Sequence, residues 1–264
     1  MRYLAIVLVL IGCGTDSMPG GGGGGGGGGS ATMVSGTIST ATTWSGTIEV
    51  TGAVTIAAGV TVTVDAGAMI ETGSAITIDG TLDIEGTSGS TVSVGPAGTT
   101  AHWPGFTVAS GGTLTAHYMD EVGGAVNMAD GSTVTIYDSH LSQASHDLVV
   151  VEGGTLDIEY SSIGVESGQT DTTHCDTHFD GATAITITHT NISSSAYGSM
   201  FYAGSSVDWT YDNWFDNATD VATSPGVTGT FSYGWFQKGD APSGSGIVAQ
   251  NMSSTRVTDA GPRP

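Results

Sequence analysis

Apolar residues in this chain return every 22 positions. Val54 and Ile56 are followed by Ile76 and Ile78, and Val134, Ile136 and Leu141 by Leu156, Ile158 and Ile163. The same count pairs Val60, Val62 and Ile70 with Leu82, Ile84 and Val92. Ile185, Ile187 and Ile192 recur as Val207, Trp209 and Trp214, which recur in turn, from Trp209 on, as Phe231 and Phe236. A fixed period of this length marks a solenoid, in which each repeat buries its apolar side only against its neighbours.

Inside each repeat, short segments alternate apolar and polar residues. Val60-Thr61-Val62-Thr63-Val64, Leu82-Asp83-Ile84-Glu85 and Val134-Thr135-Ile136-Tyr137 are examples. That is the period of strands with one buried face. Gly111-Gly112, Gly131-Ser132, Gly153-Gly154 and Gly204-Ser205 punctuate the strands as turns. Three short strands and three turns fill a repeat, and coiling them lays each strand parallel to its copy in the next turn. The chain is therefore expected to be all-β, a parallel β-helix of about eight coils between Ile48 and Phe236, roughly 40 Å long at the usual strand spacing. Coil length and Gly/Thr/Val texture make residues 44–236 resemble the pectin-lyase-like fold, which implies a right-handed coil. The late aromatics Trp209, Trp214, Phe231, Trp235 and Phe236 fall in register with aliphatic residues or with one another and read as core or cap.

Two breaks in register stand out. Leu114 to Val134 spans 20 positions, and Leu156 to Ile185 spans 29. The surplus is expected to bulge between Ile163 and Ala184, and long loops on rigid scaffolds are where function concentrates.

The N-terminus reads differently. Residues 1–12 carry Arg2 and an apolar run from Tyr3 to Ile11, too short to span a bilayer and patterned like a signal peptide. The run ends Leu10-Ile11-Gly12-Cys13, which resembles the lipobox of bacterial lipoproteins. That resemblance implies cleavage before Cys13, lipid on Cys13, and, with Gly14 after it, residence at the outer membrane or cell surface. Residues 13–33 include the run Gly20 to Gly29 and form a flexible tether reaching roughly 25 Å. The β-helix is expected over 34–237, and 238–264, where the pattern stops, reads as an irregular tail or cap.

The formal net charge is −21, from 25 acidic residues against 4 Lys and Arg. Such a surface repels nucleic acid and anionic lipid, leaving the lipid anchor as the expected membrane contact. Glycans and divalent cations remain as candidate partners.

Three constellations could carry chemistry. His174, Cys175, Asp176, His178 and Asp180 place five potential metal ligands within seven residues, a donor mixture suited to zinc. Asp208, Asp212, Asp216 and Asp220, spaced by four, and the group Asp79, Asp83 and Glu85 offer the hard oxygens that calcium prefers. An outward column is expected to run Ser93, Thr115, Thr135, Asp157, Thr186, Asp208, Thr230, beside Gly95, His117, Tyr137, Glu159, Thr188, Thr210, Ser232. Asp157 and Asp208 are its candidate catalytic acids, two coils and so roughly 10 Å apart, near the 6.5–9.5 Å of inverting glycosidases. The pectin-lyase-like resemblance implies either an Arg or Lys base with calcium-binding aspartates, or clustered aspartates with Gly-His-Gly. This chain departs from both, since Lys238, Arg256 and Arg263 follow the last coil. The sequence thus favours a non-catalytic structural, adhesive or glycan-contacting module over a polysaccharide lyase or glycosidase, with a metal-binding surface protein as the third reading.

Overall fold

A computed structural model describes residues 30–165, 171–181, 184–202, 204–239 and 241–264. The leader, Cys13 and the glycine run lie outside the described residues. The described residues form strands and turns with no α-helix. Every named strand pair is parallel, as coiling of a repeat demands.

One strand per coil enters a ten-stranded sheet that begins at Thr42–Trp44 and ends at Ile247–Gln250. Strands from the remaining sides make a second sheet of seventeen. Ten rungs give nine turns of parallel β-helix, one more than the sequence suggested, because Ile247–Gln250 stacks on Thr228–Ser232 beyond the last legible repeat.

In the ten-stranded sheet the burial pattern of Thr113–His117 repeats from rung to rung, with residues two and four inward. Leu82, Leu114, Val134 and Leu156 therefore stack in one inward file, and Ile84, Ala116, Ile136 and Ile158 in the next. Val207 continues the file above Ile185, at 2% and 4% exposure, within a strand pairing that sets Trp209 on Ile187. Of the late aromatics, Trp209, Trp214, Phe231 and Phe236 are core, while Trp235 is half-buried. Trp209 stacks on Phe231 at 6.1 Å and Trp214 on Phe236 at 4.3 Å, while Phe179 stacks on Phe201 at 4.9 Å. Such stacks extend the dispersion contact of each rung along the axis.

The early register differs from a strict count of 22. Val62 stacks on Leu82 and Val64 on Ile84, so Val60 lies outside the file. Ile70 stacks on Val94, not Val92. Slips of two residues keep every side chain on its own face, which hides them from a pattern of apolar positions. A larger insertion also passed unseen: Leu82 pairs with Leu114, because the chain makes an excursion around Trp103. The outward column consequently runs Thr63, Asp83, Thr115, Thr135, Asp157, Thr186, Asp208, Thr230. Ser93 sits instead in the second sheet between Met69 and Asp120, and Glu85 takes the place expected for Gly95.

At the corner leaving the ten-stranded sheet, one residue per coil has positive φ: Tyr118, Asp138, Tyr160, His189, Tyr211 and Tyr233, between 46° and 63°. The conformation is unfavourable for bulky residues. Ring stacking offsets it, with Tyr160–His189, His189–Tyr211 and Tyr211–Tyr233 centroids at 4.6, 4.9 and 4.9 Å.

After Gln250 the chain turns back and runs down the side of the stack. Ser253 N–H donates to Gly234 C=O, and Val257 exchanges two bonds with the Asn213 amide. Asn191 Nδ2 donates to Ala260 C=O and Gly261 N–H to His189 C=O. Gly261 has φ +109°, and a Cβ there would sit 2.6 Å from Asn191 Nδ2, so no other residue fits this close approach. Arg263 finally grips Asp138 with Nε and Nη2, both at 2.6 Å, and its guanidinium lies 4.0 Å from the Tyr160 ring centre.

Candidate metal centre and surface carboxylates

Residues 171–181 do not bulge as one loop. Cys175–Phe179 is a regular strand, paired with Asp147–Val151 on one side and Tyr197–Phe201 on the other. Six of the seven surplus residues of the 29-residue coil lie before it, because Ile163 follows Leu141 by 22 and Thr177 follows Val149 by 28, and the seventh lies between Phe179 and Ala184. Stacking sets Cys175 on Asp147, and the backbone bond from His174 N–H to His146 C=O sets His174 on His146.

The five sequence candidates therefore separate. His174, Cys175 and His178 gather around Asp147, a residue the local motif did not contain. His174 Nδ1 lies 3.1 Å from Asp147 Oδ1, His178 Nδ1 2.8 Å from Oδ2, and His146 Nδ1 3.0 Å from Oδ1. Cys175 Sγ is 3.2 Å from His174 Nδ1 and 3.5 Å from Met200 Sδ. Two three-donor groups result, His146–Asp147–His174 and Asp147–Cys175–His178, sharing the Asp147 carboxylate. Asp176 belongs to neither. It is fully buried and accepts from Ser195 Oγ at 2.9 Å, and burial pushes its carboxyl well up. Asp180 is exposed and also outside both groups.

Asp147 itself is only 10% exposed. Burial works to raise its carboxyl, but the bonds from His174 and His178 outweigh it and hold the group below the usual carboxylate range. An ionised carboxylate only accepts, so each imidazole facing it donates through Nδ1–H. Burial, with the Asp147 charge beside it, pushes the Cys175 thiol upward. Aromatic rings brace the imidazoles: Tyr202 stacks on His178 at 5.1 Å and Tyr197 meets His174 edge-on at 5.2 Å.

The oxygen clusters do not assemble. Asp212 is buried and accepts from Thr190 N–H at 2.7 Å, Asp220 is buried beside Asn217, Asp216 bonds Gln237 at the surface, and Asp208 faces outward on the ten-stranded sheet. Among the described residues, neither this set nor Asp79, Asp83 and Glu85 enters a convergent three-donor group. Asp157 and Asp208 do share one column, two rungs apart with Thr186 between them. Asp157 is held by Tyr137 Oη at 2.7 Å, and burial together with that bond pushes the Tyr137 phenol up.

His146, Asp147 and Met200 escaped the sequence reading. A signal for the first two existed: once the long coil is closed, His146-Asp147 lies over His174-Cys175. No protein-family model matches the chain, and neither a curated protein nor a solved structure matches it.

Proposed function

We propose that the chain is an exported bacterial lipoprotein, anchored through Cys13 at the outer membrane or cell surface, whose β-helix is a non-catalytic module that contacts glycan. In this reading the pectin-lyase-like kinship is one of architecture and does not extend to catalysis. The observation that carries it is the ten-stranded sheet. Its strands present three outward positions per rung, so that Thr113, Thr115 and His117 align with Thr133, Thr135 and Tyr137, and these with Thr155, Asp157 and Glu159. Hydroxyls and carboxylates thus repeat about every 4.8 Å along the molecule. A repeating polymer can meet such a face at many rungs at once. Each hydrogen bond contributes only about 0.5–1.5 kcal/mol net, so the array matters more than any single contact. With 25 acids in the chain, a neutral or amino-bearing glycan suits the face better than a polyuronate.

A glycan array probed with the full chain tests this. Binding to neutral or cationic glycans is expected to survive Asp157→Asn and Asp208→Asn, and to fall at least about tenfold when Thr135→Arg and Thr186→Arg roughen the sheet centre. Soluble sugar released from a polysaccharide, and lost in Asp157→Asn, would point to a glycosidase or lyase instead.

A further inference from the structure

We propose that Asp147, Cys175 and His178 bind one borderline-soft divalent transition metal ion of the zinc class, with His174 and His146, the other two donors grouped on Asp147, at the rim of the site. The inference is independent of the glycan reading, because the cluster belongs to the second sheet and not to the ten-stranded one.

The donor types select the ion. An imidazole nitrogen, a sulfur and a single carboxylate, with two further imidazoles at the rim, match zinc and its neighbours. Calcium requires six to eight oxygens and magnesium an oxygen octahedron, which one carboxylate cannot begin to supply. The spacing is also close to what coordination needs. Zinc bonds of about 2.0–2.3 Å in a tetrahedron put donors roughly 3.3–3.7 Å apart. The Asp147, Cys175 and His178 donors all lie within 4.8 Å of one another, with His178 Nδ1 2.8 Å from the Asp147 carboxylate. Small side-chain rotations, opening the His178–Asp147 pair and closing the others, bring the three donors round an ion at their centre.

The scaffold favours a site over a chance contact. Asp147 and Cys175 are cross-strand partners, and His174 and His146 are fixed to each other through the backbone, so rung stacking rather than loop conformation brings the donors together. Tyr202 and Tyr197 hold the outer imidazoles. Met200 adds a second sulfur 3.5 Å from Cys175 Sγ, a soft neighbour of the kind transition metals tolerate and hard cations do not use. Coordination sends the Cys175 thiol proton to solvent. Each ligating imidazole gives up its Nδ1 proton and takes one at Nε2, so it remains neutral.

The experiment uses untagged full-length protein, freed of metal with chelator and titrated with zinc alone by calorimetry. One equivalent is expected per chain, unaffected by excess calcium or magnesium. His174→Ala with His178→Ala is expected to lose it, and Cys175→Ser to weaken it at least about tenfold. Cobalt(II) added in place of zinc should give tetrahedral ligand-field bands and a sulfur-to-cobalt charge-transfer band that Cys175→Ser removes. Circular dichroism and melting in chelator check that each variant folds. Should the double variant fail to fold, His178→Gln and the cobalt spectrum of the unaltered chain still decide. Absence of stoichiometric zinc, binding unchanged in the folded variants, or displacement by calcium would each overturn the proposal and leave the cluster as a hydrogen-bonded charge trap for Asp147.

Discussion

Glu121 is fully buried, and its carboxyl is pushed up to about 8, chiefly by burial. Its Oε1 accepts from Trp103 Nε1 at 2.9 Å and from Gly124 N–H at 2.6 Å, while Oε2 is buried with no partner. Glu121 thereby ties the Trp103 excursion to the stack, beside the backbone bond from Trp103 N–H to Gly123 C=O. Gly124 is required there, because a Cβ would meet the Trp103 ring at 2.3 Å. Since the folded chain holds the Glu121 proton up to about pH 8 and the unfolded chain releases it near 4.5, stability falls as pH rises between those values. The loss is on the order of a few kcal/mol, at about 1.4 kcal/mol per unit. Glu121→Gln keeps the acceptor and removes the titration. Melting temperatures taken across pH 5–9 are expected to show a flatter profile and a more stable protein on the alkaline side; an unchanged profile would assign the dependence to Asp176 or Asp212, which burial also pushes upward.

Among elements, the returning C-terminal segment is the one whose position no local pattern announces. Residues 252–263 cross several coils, and they hydrogen-bond to the side chains of Asn213, Asn191 and Asp138, one from each of three. Burial alone would raise Asp138, but Arg263 outweighs it and holds the carboxyl below its ordinary range. This contribution is present above the unfolded carboxyl value and fades as pH falls, the opposite sign to Glu121. Arg263→Ala leaves a buried carboxylate without its forked partner and is expected to lower unfolding free energy by roughly 1–3 kcal/mol at neutral pH, with the difference shrinking in acid. Chemical denaturation at pH 7 and pH 4 checks both parts. Gly261→Ala should release the segment without touching any charge, seen as faster amide exchange at Val257 and Gly261.

For the molecule as a whole, repetition explains both what was legible and what was not. Ile185, Ile187 and Ile192 foretell Val207, Trp209 and Trp214 because a stacked coil needs an apolar residue at the same place on each turn. Outward positions carry no such demand. A count of 22 puts Ser93 in the column that Asp83 occupies, because Val92 and Val94 stand 22 positions before Leu114 and Ala116 yet belong to the second sheet. The candidate metal centre was half visible for the same reason. His174, Cys175 and His178 stand together in the chain, whereas Asp147 joins them only through the pairing of neighbouring rungs. The proposed lipid anchor belongs to this scale too: metabolic labelling with palmitate is expected to mark the chain and to vanish in Cys13→Ala, with labelling undiminished in the variant excluding Cys13 as the lipid site.

Stacking across the long coil underlies both the outward face of the ten-stranded sheet and the candidate metal centre, and engineered disulfides read it directly. Adjacent rungs bring Cα atoms within disulfide reach of 4.4–6.8 Å, and alternate rungs do not. Under mild oxidation Asp157→Cys with Thr186→Cys is expected to lock, whereas Asp157→Cys with Asp208→Cys stays reduced, as mass spectrometry of peptides would reveal. A free first pair, or a locked second one, would contradict the account.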